Sequence, residues 1–231
     1  MKNMRGMTLL EVLTAVAVLG VLVTLAVTGM RGNISTQREN TATRELWSSA
    51  LRARQLAIST NQPVRFVVDS NVTLPDGLQH TVARWERLKC GTDLNTPDEW
   101  TVDNCPNPAC LATTCRSTPA CCSETGPDIA IPATMNAANM HGLCFLPGSG
   151  RPAFNSMNCL QGLLSQPAQI AAAAPVDSSI QFRFTSKRAK SVLMVEPLTG
   201  LSSVMDCDSL AATTTDVSRK DVRLAAACLV P

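Results

Sequence analysis

A single carboxylate near the start of the chain, Glu11, could bind a cation at the front of a long apolar run. The residues that follow it, 12–30, carry no charge. An acidic side chain near the centre of a membrane costs on the order of 2.5–3.5 kcal/mol. The sequence therefore predicts a cationic partner for Glu11, and another subunit is a natural source of that partner.

The second set of reactive residues is formed by ten cysteines, all of which follow residue 89. Their even number predicts disulfides in an oxidising compartment. The candidates are Cys90, Cys105, Cys110, Cys115, Cys121, Cys122, Cys144, Cys159, Cys207 and Cys228. We expect the vicinal Cys121 and Cys122 to bond to different partners, while the connectivity as a whole stays open.

Metal binding and thiol catalysis are weaker interpretations of the same residues. A zinc site normally has short paired spacings, whereas the cysteines between residues 105 and 121 are separated by four or five residues. His141 lies three residues before Cys144, but a disulfide-bonded Cys144 could not act as a nucleophile. We therefore predict that the chain binds no metal and no cofactor.

The composition argues against an enzyme and against nucleic-acid binding. Aromatic residues make up 3% of the chain and tyrosine is absent, so ring platforms for sugars or single strands are not expected. Basic residues number 20 and acidic residues 18, and the excess corresponds to Lys2 and Arg5. The acidic pairs at 98–99 and 206–208 are explained as solvated loops, and no phosphate-binding loop or nucleophile elbow is present.

The apolar run after Glu11 is long enough to cross a membrane as a helix. At roughly 1.5 Å per residue, residues 12–30 would span about 28 Å, close to the thickness of a hydrocarbon core. Lys2 and Arg5 predict that the leader stays cytoplasmic and that the remainder is exported. A cleaved signal peptide is an alternative, although its apolar core is typically about 7–15 residues long. A plain membrane anchor is a second alternative.

The first residues also resemble a known processing signal. The stretch from Gly6 to Val12, GMTLLEV, resembles the prepilin signature of type IV pilins and type II secretion pseudopilins. In that family, a membrane peptidase cuts after the glycine and methylates the new terminal amine. The resemblance implies cleavage between Gly6 and Met7 and an N-methylated Met7. Glu11 would then be the fifth mature residue, which in the family pairs with the N-terminal amine of a neighbouring subunit.

Regular elements are predicted on both sides of a cysteine-rich stretch. Two apolar rows at helical spacing predict an amphipathic helix over 31–62, ending before Pro63. The rows are Leu46, Ala50, Ala53, Ala57 and Trp47, Leu51, Arg54, Ile58. The other predicted elements are strands at 64–68 and 80–88, a turn at 74–78, a hairpin of 180–184 with 191–195, and a strand or short helix at 222–230. No regular element is predicted between Cys90 and about Gln169.

The end of the predicted helix carries a second resemblance. Residues 45–64 resemble the GspH/FimT/FimU branch of minor pilins and pseudopilins, in which the helix leads through a Pro-Val step into the first strand. The residues that match are Leu51, Ala53, Arg54, Ala57, Ile58, Pro63 and Val64. Some FimT-like pilins receive DNA through a basic tail, but here only Arg219, Lys220 and Arg223 remain, with Asp221 among them. Three phosphate contacts would bind weakly, so nucleic acid is not an expected partner.

Together these features predict an α+β, pilin-like chain with a long N-terminal helix packed on an antiparallel β domain. We expect a cleaved leader at 1–6, a transmembrane or filament-core helix at 7–30, and an amphipathic helix at 31–62. A periplasmic domain at 63–231 would contain a disulfide-rich insertion at about 90–165. That insertion is longer and richer in cysteine than the branch leads us to expect, and it would form either an exposed binding surface or a merely rigid loop.

The expected function is that of a minor type IV pilin, which primes assembly of the pilus or caps it within a tip complex. The expected partners are other minor pilins, the major pilin, the prepilin peptidase and the inner membrane. The chain would cross the inner membrane once and later enter the extracellular pilus. The alternatives are a minor pseudopilin of a type II secretion system and, in another class, an adhesin or DNA-binding receptor.

Overall fold

The computed structural model describes residues 9–91, 93–94, 105–154, 159, 179–185, 187–196, 198–207 and 228. The chain divides into two compact units, Met1–Asn40 and Thr41–Pro231. Helix α1 spans Leu9–Thr60. The strands are β1 (Val64–Thr73), β2 (Gln79–Leu88), β3 (Cys122–Thr125), β4 (Ile129–Ile131), β5 (Met135–Asn136), β6 (Leu143–Phe145), β7 (Pro152–Phe154), β8 (Ser179–Phe184), β9 (Lys187–Val195) and β10 (Ser202–Asp206).

The last turns of α1 pack on the β-strands through the first of the two predicted apolar rows. Its four members, Leu46, Ala50, Ala53 and Ala57, are all fully buried. They share one core with aromatic side chains of both sheets. The helix ends at Thr60, Asn61 takes a left-handed conformation at φ 55°, and Pro63 prevents continuation. The predicted helix end and the burial of the first row are confirmed, whereas Trp47 and Ile58 of the second row are 36% and 38% exposed.

The strands form two antiparallel sheets. In the first, the order is β3-β2-β1-β6-β7, with β4 also paired to β2. The second has the order β10-β9-β8-β5 and contains the predicted hairpin. In the first sheet, Phe66 lies opposite Trp85 and Arg65 lies opposite Glu86. Because side chains alternate along a strand, Phe66 and Trp85 face the core that α1 covers, whereas Arg65 and Glu86 face the other side.

The prediction that 90–169 lacks regular structure is wrong for residues 105–154. That range contains β3 to β7 and three single-turn 3₁₀ helices, at Pro108–Cys110, Pro119–Cys121 and Ala138–Met140. Each of these strands has two to four residues, too few for a periodic pattern to be recognised. β3 to β6 acquire order by pairing with longer strands and β7 by pairing with β6, which is not a local property of the sequence.

Several sequence predictions lie outside the described residues. These include the leader with Gly6 and Met7, the acidic pair at 98–99, Asp208, the basic residues Arg219, Lys220 and Arg223, and the element at 222–230 apart from Cys228.

Within the part of the chain that the structure describes, no helix has the length and apolar character needed to cross a membrane.

The predicted turn between β1 and β2 is confirmed and is closed by an aspartate. The amide of Gly77 donates to the carbonyl of Leu74 at 2.9 Å, and Gly77 has φ +76°. Asp76 Oδ1 accepts from the amide of Leu78 at 2.9 Å, and Oδ2 lies 2.8 Å from His80 Nε2. The bond from the Leu78 amide, followed by that from His80, lowers the pKa of the Asp76 carboxyl.

This turn should contribute stability that depends on pH. A depressed pKa in the folded state means that the stabilisation is present above the ordinary value of 3.8 and is lost as the pH falls through the folded value. We therefore expect Asp76→Ala to unfold at a lower temperature than the wild type near neutral pH. The difference should shrink in acid, in thermal unfolding from roughly pH 7 to pH 2. A difference that stays constant over that range would contradict this role of the carboxylate.

Candidate functional site

The first turns of α1 expose apolar side chains in every direction. Leu9 is 80% exposed and Leu10 73%, and eight further residues between 12 and 23 are 48–63% exposed. Those eight are Val12, Leu13, Val16, Val18, Leu19, Val21, Leu22 and Val23. A helix that is apolar on all sides is normally buried by other helices or by lipid. This stretch is therefore a surface that needs partners.

Glu11 is the only charged residue in the first turn of this surface and is itself exposed. Its carbonyl accepts a hydrogen bond from Thr14 Oγ1 at 3.0 Å. A carboxylate at this end of a helix is favoured by the positive end of the helix dipole. The structure thus places Glu11 at the beginning of the apolar surface, while Gly6 and Met7 lie outside the described residues.

All ten cysteines are paired in five disulfides. The bonds join Cys90 to Cys105, Cys110 to Cys121, Cys115 to Cys122, Cys144 to Cys159, and Cys207 to Cys228. The predicted disulfides are confirmed, and so is the expectation that the two vicinal cysteines bond to different partners.

Residues 105–122, here called the cystine segment, cover the face of the first sheet that points away from α1. Leu88 of β2 packs there with Cys115, Cys122, Cys144 and Cys159 in a second apolar cluster. Cys110 and Cys121 are fully buried as well. The segment is therefore a packed layer on the sheet, and its sulfur atoms form part of the interior.

A buried ion pair lies beneath the cystine segment. The side chains of Arg65 and Glu86 are both fully buried, and Arg65 Nη2 lies 3.1 Å from Glu86 Oε2. Burial lowers the pKa of the Arg65 guanidinium, and the charge of Glu86 opposes that effect. Arg84, the neighbour on the same face, donates from Nη2 to Glu86 Oε1 at 2.8 Å.

The same two side chains hold the backbone of the cystine segment. Arg65 Nη1 donates to the carbonyl of Cys110 at 3.0 Å, and Nη2 donates to the carbonyl of Thr113. Glu86 Oε1 accepts from the amide of Cys115 at 3.0 Å. This network was not predicted from the sequence. The one feature that could have indicated it is Arg65, a charged residue inside the apolar run Val64–Val68. An arginine there is explained only when the cystine segment is known to cover that face of the sheet.

A partly exposed layer of charges extends the network towards solvent. Arg116 of the cystine segment donates to both carboxylate oxygens of Asp128, at 2.8 and 2.9 Å, and to Asp69 at 3.3 Å. Arg84 lies 4.0 Å from Asp69 and 3.7 Å from Asp128. The opposite charges here are matched to one another, so this layer presents no concentrated charge of one sign.

Two groups of residues that could have formed a metal site or a thiol nucleophile are explained by other contacts. Glu86, Cys115 and Cys122 bring three possible metal ligands together, but both sulfurs belong to one disulfide. His141 Nδ1 accepts from the amide of Val68 at 3.0 Å, and Cys144 is bonded to Cys159. Neither set provides a free thiolate.

The comparison with known families concerns the start of the chain. Residues 1–27 match the model of the prokaryotic N-terminal methylation motif. The chain carries a type IV prepilin-like signature. No curated protein and no solved structure matches the chain.

The prepilin-like signature supports a type IV pilin-like or pseudopilin protein. Proteins with this signature form a family of structural subunits rather than of enzymes. The signature implies processing by a prepilin peptidase and assembly with other pilins. It also fits a subunit that is anchored in the inner membrane before it is assembled.

Proposed function

We propose that the chain is a minor type IV pilin, a structural subunit that primes pilus assembly or caps the filament within a tip complex. The observation that carries the proposal is the exposed apolar surface of α1, with Glu11 as its one charge in the first turn, following the prepilin-like signature.

Maturation would begin with cleavage between Gly6 and Met7 and methylation of the Met7 amine. Release of the leader would leave a positively charged amine four residues before Glu11. In a bundle of apolar helices, the amine of one subunit and Glu11 of its neighbour would neutralise each other. Such a pair fixes the register of association, because either charge alone in apolar surroundings would be costly.

The apolar side chains would supply most of the association free energy. Each fully buried valine or leucine contributes about 1.5–3 kcal/mol relative to its exposed state. Ten large apolar residues of this surface are exposed between Leu9 and Val23, so a helix bundle or lipid would be strongly preferred over water. Before assembly, the inner membrane would cover the same surface.

The assignment to the minor pilins is supported by the end of α1. The resemblance of residues 45–64 to the GspH/FimT/FimU branch agrees with a helix that ends at Thr60 and a strand that begins at Val64. The five disulfides and the cystine segment make the second unit suited to an extracellular filament.

The test compares pili with secretion in a strain that lacks the chain. We expect loss of surface filaments, restored by the wild-type gene, with the subunit present in sheared filaments at a small fraction of the major pilin. Normal filaments combined with a defect in protein secretion would contradict the pilus assignment and favour a type II pseudopilin.

A further inference from the structure

The buried ion pair of Arg65 and Glu86 is poorly explained by stability alone. Removing two charges from water has a cost that their attraction often fails to recover, and apolar replacements of similar volume are often neutral or stabilising. Both side chains are 0% exposed. Buried ionic groups are retained in some proteins because they select one arrangement over competing ones. The competing arrangements here are the disulfide isomers of the cystine segment.

We infer that the Arg65–Glu86 pair selects which cysteines of the cystine segment bond to each other. Four of its five cysteines, Cys110, Cys115, Cys121 and Cys122, bond within the segment, and four cysteines allow three connectivities. The pair contacts the backbone at the first two of these four, through the carbonyl of Cys110 and the amide of Cys115, each at 3.0 Å. It thereby fixes where these two sulfurs lie above the sheet.

The other two half-cystines are held by the edge of β2. Cys122 pairs with Leu88 in the β2–β3 ladder, and the amide of Lys89 donates to the carbonyl of Cys121 at 2.9 Å. The ladder holds Cys121 and Cys122 whichever partner each of them takes. Two isomers bond Cys110 and Cys115 to the vicinal cysteines. The choice between these isomers therefore depends on where Arg65 and Glu86 place Cys110 and Cys115.

Chain length does not make this choice. The observed bonds have sequence separations of 11 and 7 residues, and exchanging the partners changes each separation by one residue. Loop-closure entropy varies only with the logarithm of loop length, so it barely distinguishes the observed isomer from the exchanged one. A specific contact must do so.

The pairing is set during thiol–disulfide exchange. A protein thiolate attacks a small disulfide such as oxidised glutathione, forms a mixed disulfide and releases one glutathione thiol. A second protein thiolate then attacks that mixed disulfide, which forms the protein disulfide and releases the second glutathione. Mispaired bonds rearrange by the same reaction, so the isomer that best accommodates the Arg65–Glu86 contacts accumulates.

The test is reoxidation of the full chain, reduced and unfolded in denaturant with detergent, in a glutathione buffer. Proteolysis without reduction and mass spectrometry, with fragmentation between Cys121 and Cys122, then identify the bonds. The test variant is Arg65→Met/Glu86→Leu. The control is Arg87→Met/Glu124→Leu, which removes a 3.5 Å ion pair of the β2–β3 ladder.

We expect the wild type and the control to recover mainly the observed bonds. In the test variant, we expect the observed isomer to fall to about half of the molecules that bond Cys110 and Cys115 to Cys121 and Cys122, because the selecting contacts are gone and loop entropy barely separates the two isomers. Recovery of the observed bonds by the test variant to the wild-type level would overturn the inference.

A second variant covers the case in which the double variant mispairs all ten cysteines. Arg65→Lys keeps the charge opposite Glu86 but loses the planar fork that reaches Cys110 and Thr113. Mispairing confined to Cys110, Cys115, Cys121 and Cys122, with the other three disulfides intact, supports the inference. Native pairing in Arg65→Lys, after global mispairing of the double variant, would overturn it.

Discussion

Replacing Gly6 by valine should leave the chain as an uncleaved precursor that retains residues 1–6. In the family that the signature resembles, the peptidase cuts after this glycine because its site accepts only a small residue there. A branched side chain at the position before the cut should therefore abolish processing. The expected loss is nearly complete, and the N-terminal peptide of the membrane fraction, identified by mass spectrometry, reports it directly.

The matched control for this change is Gly20→Ala. A Cβ added at Gly20 meets nothing within 4 Å, so this variant should be processed like the wild type. A mature N-terminus at Met7 in Gly6→Val would show that the cleavage site has been assigned wrongly.

Replacing Glu11 by valine should leave cleavage intact and remove the subunit from filaments. The variant surface is more apolar, so insertion into the membrane should be preserved. The neighbour's N-terminal amine would, however, lose its countercharge in apolar surroundings. Breaking a buried pair in this way costs about 3–5 kcal/mol, which corresponds to a decrease of roughly 100-fold or more in association. Comparing immunoblots of sheared filaments and of membranes measures the decrease.

Thr14→Val is the matched control for Glu11→Val. It removes the hydroxyl that donates to the Glu11 carbonyl while leaving the carboxylate in place, so it should enter filaments almost normally. Normal incorporation of Glu11→Val would exclude the pairing role of the carboxylate.

Local sequence patterns were sufficient to predict those elements whose structure depends only on residues close together in the chain. The row from Leu46 to Ala57 predicted the buried face of α1, and Pro63 predicted where the helix ends. Because side chains alternate along a strand, Arg84, Glu86 and Leu88 of the predicted strand at 80–88 share one side. The structure confirms that arrangement, because Arg84 and Leu88 border the cystine segment together with Glu86.

What the sequence did not reveal depends on contacts between distant residues. Arg65 and Glu86 are 21 positions apart, and Arg65 and Cys110 are 45 apart, so no periodic pattern connects them. The short strands β3 to β6 are ordered by pairing with β1, β2 or β8, and β7 is ordered by pairing with β6. The disulfide partners follow from the same folding, which explains why an even cysteine count predicted bonds but not their connectivity.

The exposed apolar surface of α1, from Leu9 to Val23, could be predicted from the sequence more fully than the cystine segment. A run without charges and one carboxylate at its front are local features, and the structure adds only that the side chains between Leu9 and Val23 are exposed. The register of Glu11 against a partner is set between chains, so neither this sequence nor this single chain determines it.

The proposal that the chain is a processed minor pilin is tested most directly by mass spectrometry of the N-terminal peptide of the wild-type chain in sheared surface filaments. We predict a low-abundance subunit that begins at Met7 and is heavier by one methyl group on its terminal amine. A chain in the filaments that begins at Met1, or an unmethylated terminus at another residue, would contradict the account.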